Sequence, residues 1–211
     1  MNTDELIDKL AKDASPPLSS RTLLAVAVAA GMAITAVAFF SAIGFRQDIS
    51  QAVRDARFLF KCAVTIASAA FAVGTTLRLS RPDGSLGRGG LTLAVAPALL
   101  VCAALAELWA LPEPQWMPRL VGVNSHRCLT LIPLLAIGPL ACLLWALRRG
   151  APANPGVAGA VAGLAASGIA AMFYATACID DSPLFVITWY PMAALIVAAA
   201  GYLIGRRLLT W

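Results

Sequence analysis

The sequence predicts an all-α protein: a polytopic membrane bundle of six transmembrane helices, preceded by a short cytoplasmic amphipathic helix. Three observations predict it. The 211 residues are 60% hydrophobic and only 13% charged, whereas soluble domains carry about 25% charged residues. The mean hydropathy is +0.79. Six apolar runs approach the roughly 20 residues that a helix needs to cross a bilayer, and a helix satisfies its own backbone hydrogen bonds there.

The first 21 residues form a polar leader, in which we expect no signal peptide because it lacks an apolar core. Asn2 and Glu5 match a capping pair at a helix start, and the "SPP" at 15–17 ends the predicted helix. The predicted helix has an apolar side, formed by Leu6, Ile7 and Leu10. It also has an acidic side, formed by Asp4, Glu5 and Asp8.

This leader helix is too short to be stable alone in water, because isolated helices of about ten residues are marginal. Membrane-surface helices are usually rich in Lys and Arg, but this one carries four carboxylates against two lysines up to Asp13. A partner protein with a basic face and an apolar groove therefore fits better. A leader without a role is the alternative.

Six apolar runs follow the leader and are separated by turn-rich breaks such as "RPDG", "LPEPQWMP", "RRGAPANPG" and "DDSP". The runs cover residues 22–44, 58–79, 91–111, 128–147, 157–178 and 184–204. The segment "DISQAVRDARFLF" before the second run has apolar residues at helical intervals, which predicts an amphipathic extension of that run on the outer surface.

Small residues in the last two runs predict close helix packing. Gly159, Gly163 and Ser167 recur every four residues in the fifth run, and Gly201 and Gly205 end the sixth. Small side chains at this spacing let two helix backbones approach each other.

The distribution of Lys and Arg favours both termini in the cytoplasm of a bacterial inner membrane. The leader, the second and fourth breaks and the C-terminus hold ten of these residues, and the other side holds six. Four of those six lie in the first break, which argues for the opposite orientation.

In this orientation, two cysteines lie at the outer ends of neighbouring runs. Cys128 opens the fourth run and Cys178 closes the fifth, and a short inner loop makes these runs antiparallel neighbours. The outer compartment is oxidising, so two thiols there can form a disulfide if their Cα atoms lie within about 7 Å. Two unrelated interfacial cysteines are the alternative.

Further polar residues flank the two thiols. His126, Asp180 and Asp181 are weak candidates for ligands of a soft divalent metal together with the thiolates. No CxxC or HxxxH spacing supports such a site, and solvated loop groups are the favoured interpretation. Accordingly, we expect no cofactor.

Two charged residues fall inside predicted spans, Lys61 in the second and Glu107 in the third, both near the outer face. Charges within a membrane are candidates for function. Both can also reach the interface or pair with each other, and this structural interpretation is favoured.

The order of these features resembles the NrsF-type integral-membrane anti-sigma factors, negative regulators of the extracytoplasmic-function (ECF) sigma factor SigF. The resemblance is carried by "TDELIDKLAKDASP", "FRQDISQAVRDARFLFKCAVT", "RLSRPDG", "NSHRCL" and "ACIDDSP". It implies sequestration of a sigma factor in the cytoplasm and its release under oxidative or heavy-metal stress. By position, the two cysteines implicated would be Cys128 and Cys178, and the sigma-binding tail would include residues 4–10.

The resulting hypothesis is a membrane anti-sigma factor and not an enzyme. Residues 1–21 would bind the sigma factor and residues 22–211 would form the sensor, with membrane lipid as the other contact and no direct binding of nucleic acid. Whether the bundle is a homodimer is left open. The alternatives are a small-molecule or ion transporter, for which Pro97, Pro133 and Pro139 could break helices, and a membrane thiol oxidoreductase.

Overall fold

A computed structural model of the chain describes residues 19–81 and 84–210. The predicted leader helix, with the candidate sigma-binding residues Asp4, Glu5, Leu6, Ile7, Asp8 and Leu10, lies outside the described residues. The structure therefore concerns the predicted sensor and its loops.

Eight α-helices and one 3-10 turn make up the described part of the chain. They are α1 (Ser20–Ala42), α2 (Ile49–Ala52), α3 (Ala56–Leu79), α4 (Gly87–Ala110), the 3-10 turn (Glu113–Gln115), α5 (Trp116–Val121), α6 (Ser125–Arg148), α7 (Pro155–Ala175) and α8 (Pro183–Leu208). Six of them (α1, α3, α4, α6, α7 and α8) are long and apolar enough to cross a membrane. The prediction of an all-helical bundle with six spans is confirmed.

Capping side chains explain where several spans begin. The Ser19 hydroxyl accepts a hydrogen bond from the Thr22 backbone N–H at the start of α1, and Asn154 does the same for Val157 at the start of α7. Pro155 opens α7 at a position where a helix needs no backbone donor.

The predicted amphipathic extension of the second span is wrong as a continuous helix. Asp55 has an extended backbone and accepts a hydrogen bond from the Arg57 N–H, so it caps α3 and separates it from the short α2. The chain therefore turns between Val53 and Asp55.

The prolines do not interrupt their helices. Pro97 lies within α4, Pro133 and Pro139 within α6, and Pro191 within α8, and each of these helices is assigned as continuous. The broken spans that the transporter alternative predicts are therefore not found at these positions.

Helix α7 is the centre of the bundle and packs against α3, α6 and α8. Its contact with α8 is backbone to backbone, because a Cβ atom on Gly159 would collide with the carbonyl oxygen of Gly201. One turn along, a Cβ on Gly163 would lie 2.6 Å from the Val197 carbonyl oxygen. The predicted close packing through small residues is confirmed.

The alternating direction of the spans gives the bundle two ends. The thiol end contains the loops 43–55, 111–124 and 176–182, and the arginine end contains the start of α1 and the loops 80–86 and 149–154. Helices α6 and α7 are packed neighbours, as predicted. The site candidates Cys128 and Cys178 therefore meet at the thiol end.

Candidate functional site

Cys128 and Cys178 lie side by side at the thiol end. Cys128 is in the first turn of α6, and Cys178 follows the last residue of α7 by three positions. The two thiols are close enough to interact with each other, and both are free. The structure thus brings together the two cysteines that the sequence singled out.

Both thiols are buried, which corrects the expectation that they face the outer compartment directly. Cys128 is 0% exposed and Cys178 is 1% exposed. They belong to the main hydrophobic core together with Tyr174 and Tyr190. A reagent from solution must wait for the thiol end to open locally before it reaches either sulfur.

Lys61 fixes the segment after Cys178 to helix α3. Its side chain is only 1% exposed. It forms an ion pair with the Asp181 carboxylate and donates a hydrogen bond of 2.8 Å to the backbone carbonyl of Cys178. The prediction that Lys61 reaches the interface or pairs with Glu107 is therefore wrong, because the 176–182 loop folds over it.

Arg46 holds the same loop from the other side. Its guanidinium donates to the Asp181 carboxylate at 2.7 Å and to Asp48 at 2.6 Å. Its backbone N–H donates to the carbonyl of Thr176 at 3.3 Å. The Arg46 guanidinium lowers the pKa of the exposed Asp48 carboxyl, and Asp48 followed by Asp181 raises the pKa of Arg46.

Asp180 caps helix α6 rather than standing in solvent. Its carboxylate accepts hydrogen bonds from the backbone N–H of Asn124 at 2.9 Å, from the Asn124 side-chain amide at 2.9 Å and from the Val123 N–H at 3.2 Å. This bonding positions the start of α6, where Cys128 lies. The favoured interpretation of Asp180 and Asp181 as solvated loop groups is wrong, since each ties Cys178 to a neighbouring element.

The chemical environment favours the thiolate of Cys178. The Cys128 thiol and, after it, the Lys61 ammonium lower the pKa of Cys178, although burial opposes them. The neighbouring carboxylate of Asp180 acts in the opposite direction but is outweighed. Because the thiolate is the reactive form, this lowered pKa makes Cys178 the better nucleophile of the pair.

Two tyrosines next to the thiols were missed by the sequence reasoning. Within residues 19–81 and 84–210, the hydroxyls of Tyr174 and Tyr190 are buried and have no hydrogen-bond partner. The two rings lie 6.4 Å apart, and both side chains belong to the same buried core cluster as the thiols. The available signal was the position of Tyr174, four residues or about one helical turn before Cys178.

The weak metal candidates do not assemble into a multidentate site. His126 is exposed on the first turn of α6, and Asp180 and Asp181 are engaged as described above. Among the described residues, no group of three or more His, Cys, Asp or Glu side chains could hold a metal ion. A soft ion bound here would have to use the two sulfurs.

Glu107 forms a second buried polar cluster at the same end. It is 5% exposed and pairs with Arg57 and Arg119, each at 3.3 Å. It also accepts hydrogen bonds from the Ser182 hydroxyl at 2.6 Å and the Leu184 N–H at 3.1 Å. Glu107 therefore holds the start of α8, in the structural role that the sequence favoured but with other partners.

An apolar cavity of about 280 Å³ lies deeper in the bundle, between α3, α4, α7 and α8. Its polar lining side chains are Thr65, Ser68, Ser167 and Tyr190, and no charged residue lines it. Transport of an ion would require ionisable groups near this depth. The cavity therefore gives no support to transport of an ion.

Comparison with known proteins agrees with the sequence resemblance. A family model described as "NrsF: Negative regulator of sigma F" matches residues 10–211. The chain belongs to the NrsF family. Among relatives of this family, "Anti-sigma-F factor NrsF" of Caulobacter vibrioides (strain NA1000 / CB15N) is 34% identical over 218 residues, which cover all of both chains. No solved structure matches the chain.

A second NrsF relative, "Probable anti-sigma-F factor NrsF" of Azospira oryzae (strain ATCC BAA-33 / DSM 13638 / PS), is 31% identical over 216 residues, again over the whole of both chains. The family is one of negative regulators of sigma F and is not known for catalysis. The six helices that are long and apolar enough to cross a membrane are consistent with a membrane protein.

Proposed function

We propose that this chain is an inner-membrane anti-sigma factor that holds an ECF sigma factor through its leader and releases it when Cys128 and Cys178 react. Membership of the NrsF family supports the sigma factor as partner. The observation that carries the sensing part is the adjacent, buried thiol pair on a loop that Lys61 and Arg46 tie to the rest of the bundle.

In the oxidative branch, the Cys178 thiolate attacks a hydroperoxide. The O–O bond breaks, an alcohol or water leaves, and Cys178 becomes a sulfenic acid. The Cys128 thiol then attacks this sulfur, a disulfide forms and water leaves. In the metal branch, both thiols lose their protons and bind a soft ion through their sulfurs.

Either reaction would change the geometry of residues 176–182. The loop is bonded to α3 through Lys61, to the α1–α2 connection through Arg46 and to the start of α6 through Asp180. Moving it therefore acts on three elements. To lower sigma occupancy from 99% to 1%, the two states must differ in sigma affinity by about 5.5 kcal/mol.

In this proposal the arginine end and both termini face the cytoplasm. The leader then shares a compartment with the sigma factor, and the apolar Leu6, Ile7 and Leu10 enter a groove while Asp4, Glu5 and Asp8 pair with basic residues. The partner is a protein; nucleic acid is not contacted directly.

The sensing assignment is tested by the double variant Cys128→Ser, Cys178→Ser. We expect it to repress the sigma factor as the wild type does and to lose the response to peroxide and to a thiophilic metal, measured with a sigma-dependent reporter. The matched control is Cys102→Ser, because Cys102 is on the exposed side of α4. A normal stress response in the double variant would show that these thiols are not the sensor.

Sigma binding is tested with the full chain in nanodiscs. Replacing Leu6, Ile7 and Leu10 with Ser removes the predicted apolar face, and we expect retention of the sigma factor in a pull-down to fall about tenfold or more. The control replaces Lys9 and Lys12 with Gln, which leaves that face intact. Equal retention by all three proteins would rule out the leader as the binding segment.

A further inference from the structure

The arginine end contains a cleft that the thiol chemistry does not use. It has a volume of about 390 Å³ and lies between the start of α1, the end of α3 and the loop before α4. Arg21, Arg78 and Arg81 line it together with Ser85. Three guanidinium groups thus border one cavity, supplied by two separate parts of the chain.

The excess of positive charge around this cleft favours binding of an anion. After the leader, the sequence places one acidic side chain, Asp83, at this end of the bundle, against eight arginines (positions 21, 78, 81, 88, 148, 149, 206 and 207). Within the part of the chain that the structure describes, Arg21, Arg78 and Arg81 form no salt bridge. One guanidinium group can donate two parallel hydrogen bonds to two oxygens of a phosphate, so phosphate is the anion that best matches these arginines.

The cleft also has an apolar part. Gly74 and Leu77 line it, and Gly74 lies four residues before Arg78 on α3, which is about 6 Å along the helix. A Cβ atom on Gly74 would meet nothing within 4 Å, so there is open space beside α3 at this depth. A ligand with a charged head and an apolar tail fits this gradient.

We propose that the cleft binds an anionic phospholipid, with its phosphate headgroup on Arg21, Arg78 and Arg81 and part of an acyl chain beside Gly74. The position at the end of the membrane-spanning helices places the cleft at headgroup depth. The acidic leader is the competing occupant, but a peptide with four carboxylates is a poor match for the apolar depth of the cleft, which lies within the span of α3.

The bound lipid would connect two helices that otherwise touch little. Helix α1 packs mainly on α6 and makes few contacts with α3. The headgroup would join Arg21 on α1, which continues from the leader, to Arg78 on α3, which carries Lys61 at its other end. This consequence rests on the proposed function, whereas lipid binding itself does not.

The test uses the full, reduced chain in a non-ionic detergent without sigma factor. Dioctanoyl phosphatidylglycerol, dioctanoyl phosphatidylcholine and inorganic phosphate are titrated separately, and binding is read by native mass spectrometry and by the shift in Tm. We expect saturable binding of the phosphatidylglycerol alone. The double variant Arg78→Gln, Arg81→Gln should weaken it about tenfold or more.

The control variant Arg148→Gln, Arg149→Gln removes the same charge from another loop at the same end and should bind phosphatidylglycerol within about twofold of the wild type. Equal loss in the control, equal binding of phosphatidylcholine, or equally tight binding of free phosphate would each overturn the proposal. If the first variant fails to fold, Gly74→Leu tests the same cleft by filling its apolar part, and unchanged lipid affinity in it would count against the lipid.

If the leader occupied the cleft instead of a lipid, the experiment would give a different result. Trypsin cleavage at Lys9 and Lys12 would then accelerate in the Arg78→Gln, Arg81→Gln variant while phosphatidylglycerol affinity stayed unchanged, and this would overturn the lipid assignment. Because no sigma factor or oxidant is present, failure of this proposal is distinguishable from failure of the sensing or sigma-binding assignments.

Discussion

Lys61 is a buried cation near one end of a membrane-spanning helix, and its surroundings explain how it is accommodated. The Asp181 carboxylate neutralises its charge, and the carbonyl oxygens of Cys178 and Asp180 accept hydrogen bonds from it. Removing one partner of a buried ion pair usually costs more than the pair contributes, because the other charge stays buried. At the residue scale, the thiol loop therefore depends on this ammonium group.

We predict that Lys61→Met destabilises the bundle. The change keeps the apolar stem and removes the hydrogen bonds that Lys61 donates to the carbonyls of Cys178 and Asp180. Arg46 still donates to Asp181 and to the Cys178 carbonyl, so we expect a loss of about 2–3 kcal/mol, below the 3–5 typical of a fully orphaned charge. The free energy of unfolding in detergent measures it. Arg54→Met on the exposed Arg54 is the control, and an equal loss in both would contradict the role of Lys61 in holding the 176–182 loop.

The same substitution tests the ionisation of Cys178. Lys61 is one of the groups that lower the pKa of this thiol, so its removal should raise that pKa, and less thiolate is present at neutral pH. The rate of iodoacetamide modification should then reach its half-maximal value at a higher pH than in the wild type. A profile that does not move, or moves to lower pH, would show that Lys61 does not favour the thiolate.

At the scale of the elements, the packing of α7 on α8 is set by glycine. The backbones of the two helices approach so closely at Gly159 and Gly201 that neither position has space for a side chain. This proximity fixes the position of α7, and α7 leads directly to Cys178. Small residues at four-residue intervals are a common way to bring membrane helices together.

We predict that Gly159→Ala separates α7 from α8 and costs about 1–3 kcal/mol of stability, as overpacking does elsewhere. Gly74→Ala is the matched control, because a methyl group there meets no atom within 4 Å and alanine favours a helix over glycine by about 1 kcal/mol. Thermal unfolding of both variants measures the change in stability. A Gly159→Ala protein as stable as the wild type would mean that the two helices are not held at this distance.

For the whole molecule, the separation of charges is the main feature. Apart from the leader and Asp83, the acidic side chains all lie at the thiol end. Asp48, Asp181 and Glu107 pair there with Lys61, Arg46, Arg57 or Arg119, and Asp55 and Asp180 accept hydrogen bonds from backbone N–H groups at helix starts. The arginine end is left strongly basic. This asymmetry agrees with the excess of positive charge on cytoplasmic loops of membrane proteins.

The orientation can be measured on exposed loop positions, because the native thiols are buried. In a background without native cysteines, we expect Val123→Cys, at a position 80% exposed at the thiol end, to react with an impermeant maleimide added to intact cells. Ala151→Cys, exposed at the arginine end, should react after the cells are broken. The reverse pattern would place the thiols on the cytoplasmic side and contradict the proposed function.

The sequence by itself determined the six spans, the small-residue packing of α7 on α8 and the placement of Cys128 and Cys178 at the same end of neighbouring helices, because apolar length, glycine spacing and loop length fix these locally. Only the tertiary structure decided how polar groups are partnered. Lys61 and Asp181 are 120 residues apart in sequence, and Asp180 caps a helix 56 residues away. Such partners depend on how the 176–182 loop folds back over α3 and α6, and no local pattern of residues encodes that.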